Sequence, residues 1–178
     1  MITIVSGGLG RPSSCRLLGE RLAAATAPDA DARSIEVRDH AHDLTEALLT
    51  GFVPPSLREA LDAVRHADAL IAVTPIFKAS YSGLFKMFFD VLDDSALADR
   101  PVLLAAVGGT ARHALALEHT VRPLFTYLRA LVVPTAVYAT ADEVADPDAA
   151  LRDRICRAGR DLARLTLTAD PRLVALHR

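Results

Sequence analysis

The sequence predicts an α/β fold in which helices cover both faces of a doubly wound parallel sheet. Short apolar runs alternate with segments of helical periodicity along the chain. Strands buried on both faces read as continuous apolar runs, and such strands belong to parallel sheets with helical crossovers. The chain has 178 residues, 51% of them hydrophobic, which is enough for one full core. We therefore expect residues 1–178 to form a single domain.

Five segments are predicted as strands and six as helices. The strands are expected at residues 2–6, 34–38, 69–74, 101–107 and 131–138, the last interrupted by Pro134. The helices are expected at residues 13–25, 45–50, 56–66, 81–92, 112–130 and 146–165. Ser56 is predicted to cap the third helix, and Pro147 falls in the first turn of the last, where proline is tolerated. Five strands with right-handed crossovers favour the order 2-1-3-4-5.

A sheet with this order has a predictable place for a ligand. Ligands bind beyond the carboxyl ends of the strands, where the strand order reverses. Here that point lies between the first and third strands. The loops that meet there are residues 7–14 and 75–82, with residues 108–112 beside them.

The first of these loops has the composition of an anion site. Gly7, Gly8 and Gly10 permit a tight turn with close backbone approach. Ser13 and Ser14 then begin a helix, whose free amides and dipole favour a negative charge. The loop is neither a dinucleotide fingerprint nor a P-loop, and a plain strand-to-helix turn with a serine cap remains the alternative.

The second loop is aromatic and leads into a strongly apolar helix. Its backbone can offer donors and acceptors to a flat heterocycle, with Phe77 or Tyr81 beside the ring. Lys78 could place a positive charge near such a ring, or it is simply a solvated loop lysine. Residues 84–92 are apolar nearly all round, which exceeds the stripe that one sheet face requires. The excess indicates a subunit interface, or else a deeply buried helix in a monomer.

The turn at residues 108–110 and Pro123 are the other local signals. The Gly-Gly-Thr turn would let a ring approach the backbone, or it is only a turn. Pro123 lies inside a helical pattern and has no N–H, so the carbonyl of His119 lacks its helical partner. We expect a kink or a π-bulge there, and a kink without function is the alternative.

Other function classes find little support. A net charge of −2 gives no basic field for nucleic acid. No apolar run approaches the roughly 20 residues of a membrane span, so we expect a cytoplasmic protein. Cys15 and Cys156 have no metal spacing, and His40 and His42 are expected in a solvated loop. We predict no metal.

Three segments resemble the NAD(P)H-dependent FMN reductases of flavodoxin-like fold. They are SGGLGRPSS, TPIFKASYSGLFKMFFDVLDDSAL and AVGGTARHALALEHTVRPLF. Among these reductases, the chain is most similar to those of two-component alkanesulfonate monooxygenase systems. The resemblance implies FMN, and NADPH or NADH, as cofactors. It also implies a homodimer or homotetramer, and a π-helix at His119 that is tied to subunit packing and flavin transfer.

The resemblance assigns residues to the FMN. The glycine-serine loop would hold the phosphate, with Cys15 at the third hydroxyl position, while the second loop and the Gly-Gly-Thr turn would frame the isoalloxazine. The implied FMN-binding residues are Ser6, Gly8, Arg11, Ser13, Ser14, Cys15, Pro75, Ile76, Phe77, Lys78, Ser82, Gly83, Val107, Gly108, Gly109 and Thr110. Lys78 and His119 would be modulators, and no side chain would act as acid or base.

The implied reaction is hydride transfer from the nicotinamide to FMN. Reduced FMN would then pass to a partner flavin-dependent monooxygenase. Two alternatives stay open at this point. One is a quinone or azo-compound reductase that holds FMN tightly, and the other is a non-enzymatic flavodoxin-like electron carrier. Arg11, Arg16 and Arg112 could meet a 2′-phosphate, but the sequence does not decide between NADH and NADPH.

Overall fold

The computed structural model of the chain describes residues 1–29 and 31–169. It has the predicted α/β architecture, a sheet between two layers of helices. The strands are β1 Ile2–Ser6, β2 Ala32–Glu36, β3 Ala69–Phe77, β4 Ser80–Tyr81, β5 Pro101–Gly108, β6 Leu131–Val132 and β7 Val137–Thr140. The helices are α1 Ser14–Thr26, α2 Ala41–Thr50, α3 Pro55–Arg65, α4 Gly83–Val91, α5 Arg122–Tyr127, α6 Ala141–Ala145 and α7 Ala149–Ala169. Short 3-10 turns cover Val37–His40 and Ala111–His113, and a π-helix covers Leu117–Val121.

The strand order confirms the prediction for the core of the sheet. Parallel strands run in the order β2-β1-β3-β5-β6, and β7 also pairs with β5 in parallel. The fifth predicted strand is therefore two short strands, because Pro134 has no N–H for the ladder and interrupts the pairing. The two-residue strand β4, which the sequence did not predict, folds back antiparallel onto β3.

Apolar cores lie on both faces of the sheet because its central strands are apolar throughout. All of β5, and β3 up to Ile76, is buried. Helices α1 and α7 cover one face, while α2, α3, α4 and α5 cover the other. Phe89 meets Phe85 and Phe125 edge-on in the second core, at centroid distances of 4.9 and 4.8 Å, and Phe85 and Phe125 lie tilted to each other at 6.2 Å. The carboxyl ends of β1, β3 and β5 are thus fixed by packing on both sides.

Several predicted boundaries shift for local reasons. The predicted Ser56 cap is wrong: Pro54 is the N-cap, Pro55 takes the first helical position, and the Ser56 hydroxyl donates to Asp43 at 2.7 Å. Proline suits that first position because the N–H it lacks would have no helical acceptor. The predicted last helix starts at Ala149, and a short helix with a Thr140–Glu143 capping box precedes it.

The predicted helix 112–130 is interrupted, as the position of Pro123 indicated. The π-helix Leu117–Val121 contains His119, and α5 follows with Pro123 in its first turn. The Arg122 amide donates to the Leu117 carbonyl, five residues back. The wider turn lets Pro123 begin a new helix, so its missing N–H breaks no interior bond. This confirms the π-bulge rather than a simple kink.

The helices of residues 1–29 and 31–169 include none with the length and apolar character to cross a membrane.

Candidate functional site

Three turns meet at the carboxyl edge of β1, β3 and β5. We call them the glycine loop (residues 7–13), the aromatic hairpin (residues 75–82) and the 108–110 turn. In the sheet register, Ser6 pairs with Val73 and Pro75 pairs with Val107, so the three strands end side by side. The predicted crevice therefore lies where the order of the strands reverses.

Hydrogen bonds tie the glycine loop to the aromatic hairpin. The Gly7 amide donates to the Val73 carbonyl at 2.8 Å, and the Ser82 hydroxyl donates to the Gly7 carbonyl at 3.3 Å. Ser82 is 2% exposed and also caps α4 by accepting from the Phe85 amide. A Cβ added at Gly7 would lie 3.0 Å from the Phe85 ring, so the two segments are in close contact.

The glycine loop wraps around the N-terminus of α1. Ser13 caps the helix by accepting from the Arg16 amide at 3.2 Å. Gly8 has room only for hydrogen, because a Cβ there would lie 2.3 Å from the Ser13 Oγ. The Ser6 hydroxyl is fully buried at the base of the loop and has no hydrogen-bond partner among the described residues. Buried polar groups are normally paired.

Cys15 occupies the first turn of α1 but points its side chain into the core. It is 3% exposed and packs in the apolar cluster between the sheet and α1. Burial, and secondarily the Glu36 carboxylate, raise the pKa of the thiol to about 12. The thiol therefore stays protonated, and only the backbone of Cys15 is placed to serve an anion.

The aromatic hairpin turns over two residues with left-handed backbone. Lys78 has φ 49° and Ala79 has φ 67°, between Phe77 and Ser80, which pair across the hairpin. This is the conformation that two-residue hairpins favour, although neither residue is one that favours positive φ. Phe77 is 48% exposed at the rim, and Lys78 is exposed at the tip.

The 108–110 turn is held by a residue that the sequence analysis missed. Tyr138, on β7, donates its hydroxyl proton to the Thr110 carbonyl at 2.6 Å. A Cβ added at Gly108 would lie 2.1 Å from that hydroxyl oxygen, so the phenol fills the space beside Gly108. Burial and the Glu143 carboxylate raise the pKa of Tyr138, which keeps the proton on the donor. In the sequence, Tyr138 was marked only by its position between Val137 and Ala139, which are buried.

Ion pairs surround the glycine loop. Arg11 meets Asp39 at 2.6 Å, and Arg16 meets Glu20 at 2.7 Å. Arg38 meets Glu36 at 2.6 Å and donates to the Gly10 carbonyl. A groove of about 480 Å³ passes along Arg11, Ser13, Ser14 and Arg38. Basic and acidic groups balance here, so the loop has no large excess of positive charge.

The structure brings the predicted site residues to one edge, with different exposures. Buried are Ser6, Gly8, Cys15, Pro75, Ile76, Ser82, Val107 and Gly108. Half-buried are Ser13 and Ser14, and exposed are Arg11, Phe77, Lys78, Gly83, Gly109 and Thr110. The exposed surface of the crevice thus contains much backbone and few charged groups. Within residues 1–29 and 31–169, no three His, Cys, Asp or Glu side chains cluster to hold a metal ion.

The fold is that of a flavodoxin-like α/β protein, and the three turns form a crevice at the switch point of its sheet. The family model described as NADPH-dependent FMN reductase matches residues 1–144. The chain therefore belongs to the NADPH-dependent FMN reductase family, a class of oxidoreductases that use FMN and a reduced nicotinamide.

Two curated relatives and one solved structure show how close the similarity is. The FMN reductase (NADPH) of Pseudomonas aeruginosa is 43% identical over 141 residues, which cover 78% of this chain and 76% of the relative. The NADH-dependent FMN reductase SfnE of Pseudomonas putida is 41% identical over 86% of each chain. An oxidoreductase from Corynebacterium diphtheriae superposes with a TM-score of 0.84 at 40% identity, over 94% of this chain and 96% of that one. The name of the Pseudomonas aeruginosa relative gives NADPH, and the name of SfnE gives NADH.

Proposed function

We propose that this protein uses NADPH or NADH to reduce FMN and passes the reduced flavin to a partner flavin-dependent monooxygenase. The observation that carries the proposal is that the three turns meet at one edge of the sheet. Hydrogen bonds among Gly7, Val73 and Ser82 hold the glycine loop to the aromatic hairpin at the base of the crevice. We also propose that residues 1–178 form one such domain, because both apolar cores flank a single sheet.

The glycine loop would hold the FMN phosphate. The first amides of α1 have no helical acceptors, and the helix dipole favours an anion there. Gly8 lets the Ser13 hydroxyl lie close to the loop backbone, and the Ser6 hydroxyl, which has no partner among the described residues, lies at the base of the loop. Ser13 and Ser14 add hydroxyls, Cys15 its amide and Arg11 an exposed guanidinium. The residues present therefore fit a phosphate.

The aromatic hairpin and the 108–110 turn would frame the isoalloxazine. Pro75, Ile76 and Gly83 contribute backbone on one side, and Val107, Gly109 and Thr110 on the other. Phe77 would lie at the edge of the ring, and Lys78 would bring a positive charge near a reduced, anionic ring. Tyr138 holds the second turn in place through Thr110.

The chain's own task in the reaction is to bind, orient and exclude water. FMN, when bound, supplies the redox chemistry by accepting a hydride from the nicotinamide. The fixed turns would hold the ring with one face open, and alignment of two reactants contributes roughly 7–11 kcal/mol in favourable cases. We assign no proton transfer to a side chain.

Transfer to a monooxygenase requires that FMN can leave. Five of the proposed ring contacts are exposed, so the ring end opens directly to solvent: Phe77, Lys78, Gly83, Gly109 and Thr110. SfnE, at 41% identity, is named an NADH-dependent FMN reductase. We propose that FMN is a substrate as well as a cofactor, with His119 modulating its release from the adjoining π-helix.

Self-association would use the surface between α4 and α5. Phe85, Phe88 and Phe89 of α4 are buried within the subunit, so the core already covers part of the apolar surface of this helix. A groove of about 420 Å³ remains beside Tyr81, Leu124 and Tyr127, and Tyr127 is 76% exposed. We propose a homodimer or homotetramer that covers this groove, and light scattering of the purified protein tests it.

Steady-state oxidation of each nicotinamide with free FMN tests the activity. Turnover with at least one nicotinamide is the expected result, together with loss of flavin on dialysis. FMN retained through dialysis, with a second acceptor reduced, would instead favour the quinone or azo-compound reductase. No turnover with either nicotinamide would overturn the proposal and leave an electron carrier.

Transfer itself needs a separate assay. A catalytic amount of the protein is combined with a flavin-dependent monooxygenase and nicotinamide, and catalase removes peroxide. Oxygenated product should form only when FMN and this protein are both present. In the comparison, chemically reduced FMN is supplied to the monooxygenase at the same rate without this protein. If as much product forms, then diffusion of free flavin suffices and no specific partner complex is needed.

A further inference from the structure

One arginine joins the glycine loop to the strand at the edge of the sheet. Arg38 follows β2 and donates from Nη1 to the Gly10 carbonyl oxygen. Its Nη2 lies 2.6 Å from Oε2 of Glu36, the last residue of β2. The side chains of Arg38 and Glu36 are only 15% and 9% exposed. The guanidinium thus joins the loop backbone to the end of β2 through one hydrogen bond and one ion pair, and within the described residues Glu36 Oε2 accepts no hydrogen bond.

Glu36 places a negative charge beside the N-terminus of α1. Its Oε1 lies 3.4 Å from the Nη1 of Arg16. Arg16 is two residues after Ser14, the residue at which α1 begins. Its charge, after burial, contributes to raising the pKa of Cys15 in the first turn of α1. A carboxylate at an anion site opposes phosphate unless it is neutralised. Without Arg38, Glu36 would keep only its longer contact to Arg16, so the charge of this largely buried carboxylate would be less well compensated.

We propose that Arg38 is a positioning residue that makes the protein select phosphorylated flavin. It fixes the Gly10 carbonyl, and it neutralises Glu36 so that the helix N-terminus can accept a phosphate. The inference rests on the proposed function, which places the FMN phosphate in the glycine loop. Arg38 needs no contact with the flavin for this role.

Riboflavin provides the discriminating ligand. It has the isoalloxazine and ribityl chain of FMN but no phosphate, so a residue that acts through the glycine loop should affect FMN alone. Quenching of flavin fluorescence measures both affinities without any turnover. We expect Arg38→Met to raise the Kd for FMN about tenfold, which corresponds to about 1.4 kcal/mol. The Kd for riboflavin should change less than about twofold.

Further variants separate the two parts of the role. Glu36→Gln combined with Arg38→Met removes the uncompensated carboxylate and should recover part of the FMN affinity. Arg38→Lys keeps the charge but offers a point donor in place of a fork, so its FMN affinity should fall between wild type and Arg38→Met. The matched control is Arg33→Met on β2, the strand that precedes Arg38, where Arg33 pairs with Glu59 at 2.7 Å. It should leave both flavin affinities unchanged.

The outcomes are distinct. An equal loss of affinity for both flavins by Arg38→Met, or no loss for either, overturns the role of Arg38. If Arg38→Met does not fold, Arg38→Lys and the double variant provide the same comparison. Wild-type protein that binds riboflavin as tightly as FMN removes the phosphate site, and with it the proposed function. Wild-type protein that prefers FMN while Arg38→Met is unaffected overturns the Arg38 inference alone.

Discussion

The two ends of the crevice are stabilised in different ways. At the glycine loop, paired charges surround a helix N-terminus, and Arg38, Glu36 and Arg16 form a connected network. At the ring end, the aromatic hairpin and the 108–110 turn are held by uncharged contacts. The Tyr138 hydroxyl bonds a backbone carbonyl, and two residues of the hairpin have left-handed backbone.

This difference follows from what each end would bind. A phosphate is recognised by charge, so neighbouring carboxylates must be neutralised without a fixed excess of cations. A flat ring is recognised by shape, so the turns beside it must be held in position by packing. Changes at the glycine loop should therefore separate FMN from riboflavin, and changes at the ring end should affect both flavins alike.

The largest effect is expected from Gly108→Ala, at the ring end. The new methyl would overlap the Tyr138 hydroxyl, 2.1 Å from the Cβ position. Overpacking of this kind costs about 3 kcal/mol, or a fall in melting temperature of roughly 6–12 °C for a chain of this length. The affinities for FMN and riboflavin should fall together, as measured by fluorescence quenching.

Two variants serve as references for Gly108→Ala. Gly109→Ala has no atom within 4 Å of the added Cβ and should melt like wild type. Gly108→Ala with Tyr138→Phe removes the closest overlap and should regain part of the stability. A Gly108→Ala protein that melts at the wild-type temperature would show that Tyr138 does not fix this turn.

The second effect concerns Cys15 and pH. The thiol pKa is raised to about 12 in the folded protein from an ordinary 9.0. As the pH rises, the unfolded chain therefore loses the thiol proton before the folded protein does. The contribution of this pKa difference to the free energy of unfolding is complete below pH 9 and is lost as the pH rises toward 12. The free energy of unfolding should fall by at most about 1.4 kcal/mol per pH unit in that range.

Urea unfolding between pH 8 and pH 11 measures this slope. Cys15→Ala should show a shallower decline than wild type, since the other titrating groups are common to both. The exposed Cys156 should react rapidly with a thiol reagent while Cys15 does not. Rapid modification of both thiols in the folded protein would contradict the burial of Cys15.

A smaller effect is expected from Gly8→Ala, at the phosphate end. The Cβ would lie 2.3 Å from the Ser13 Oγ, so the hydroxyl must rotate and give up its bond to the Arg16 amide. Loss of such a cap costs about 1 kcal/mol. FMN affinity should fall several-fold more than riboflavin affinity. Gly10→Ala, whose nearest contact is 3.4 Å, is the control and should leave the ratio unchanged.

The smallest effect is expected from Ala79→Gly in the aromatic hairpin. Glycine accepts the positive φ of 67° without strain, so stability should rise by about 0.5 kcal/mol. Both flavins should bind slightly less tightly because the hairpin is less constrained. Arg129→Gly relieves a similar φ of 57° away from the site and should stabilise without changing flavin affinity. A change confined to FMN would contradict the division between the two ends.

Much of the fold was predictable because it depends on local patterns. The apolar runs of β1, β3 and β5 and their alternation with helices gave the strand order, and Pro123 gave the π-helix through one missing N–H. The boundaries at Ser56 and in the fifth strand were less predictable, because proline takes the first position of α3, at Pro55, and proline in a ladder divides the fifth strand into β6 and β7.

The partners of the site residues were not predictable in the same way. Glycines and serines indicated an anion loop, but the reason for glycine at residue 8 is the Ser13 hydroxyl, which lies where a Cβ would be. Tyr138 and Arg38 carry no motif, and each acts on a loop 28 residues away in sequence. Cys15 stands where a hydroxyl was expected, yet its side chain belongs to the core.

The sequence alone was enough to predict the order of the sheet, the edge at which three turns meet and the break in the helix before Pro123. These depend on periodicity and backbone chemistry, which act between near neighbours. Only the tertiary structure decided that Tyr138 fills the space beside Gly108 and that Arg38 fixes the glycine loop against Glu36. Those contacts join distant segments, and their energies exist only once the strands have paired.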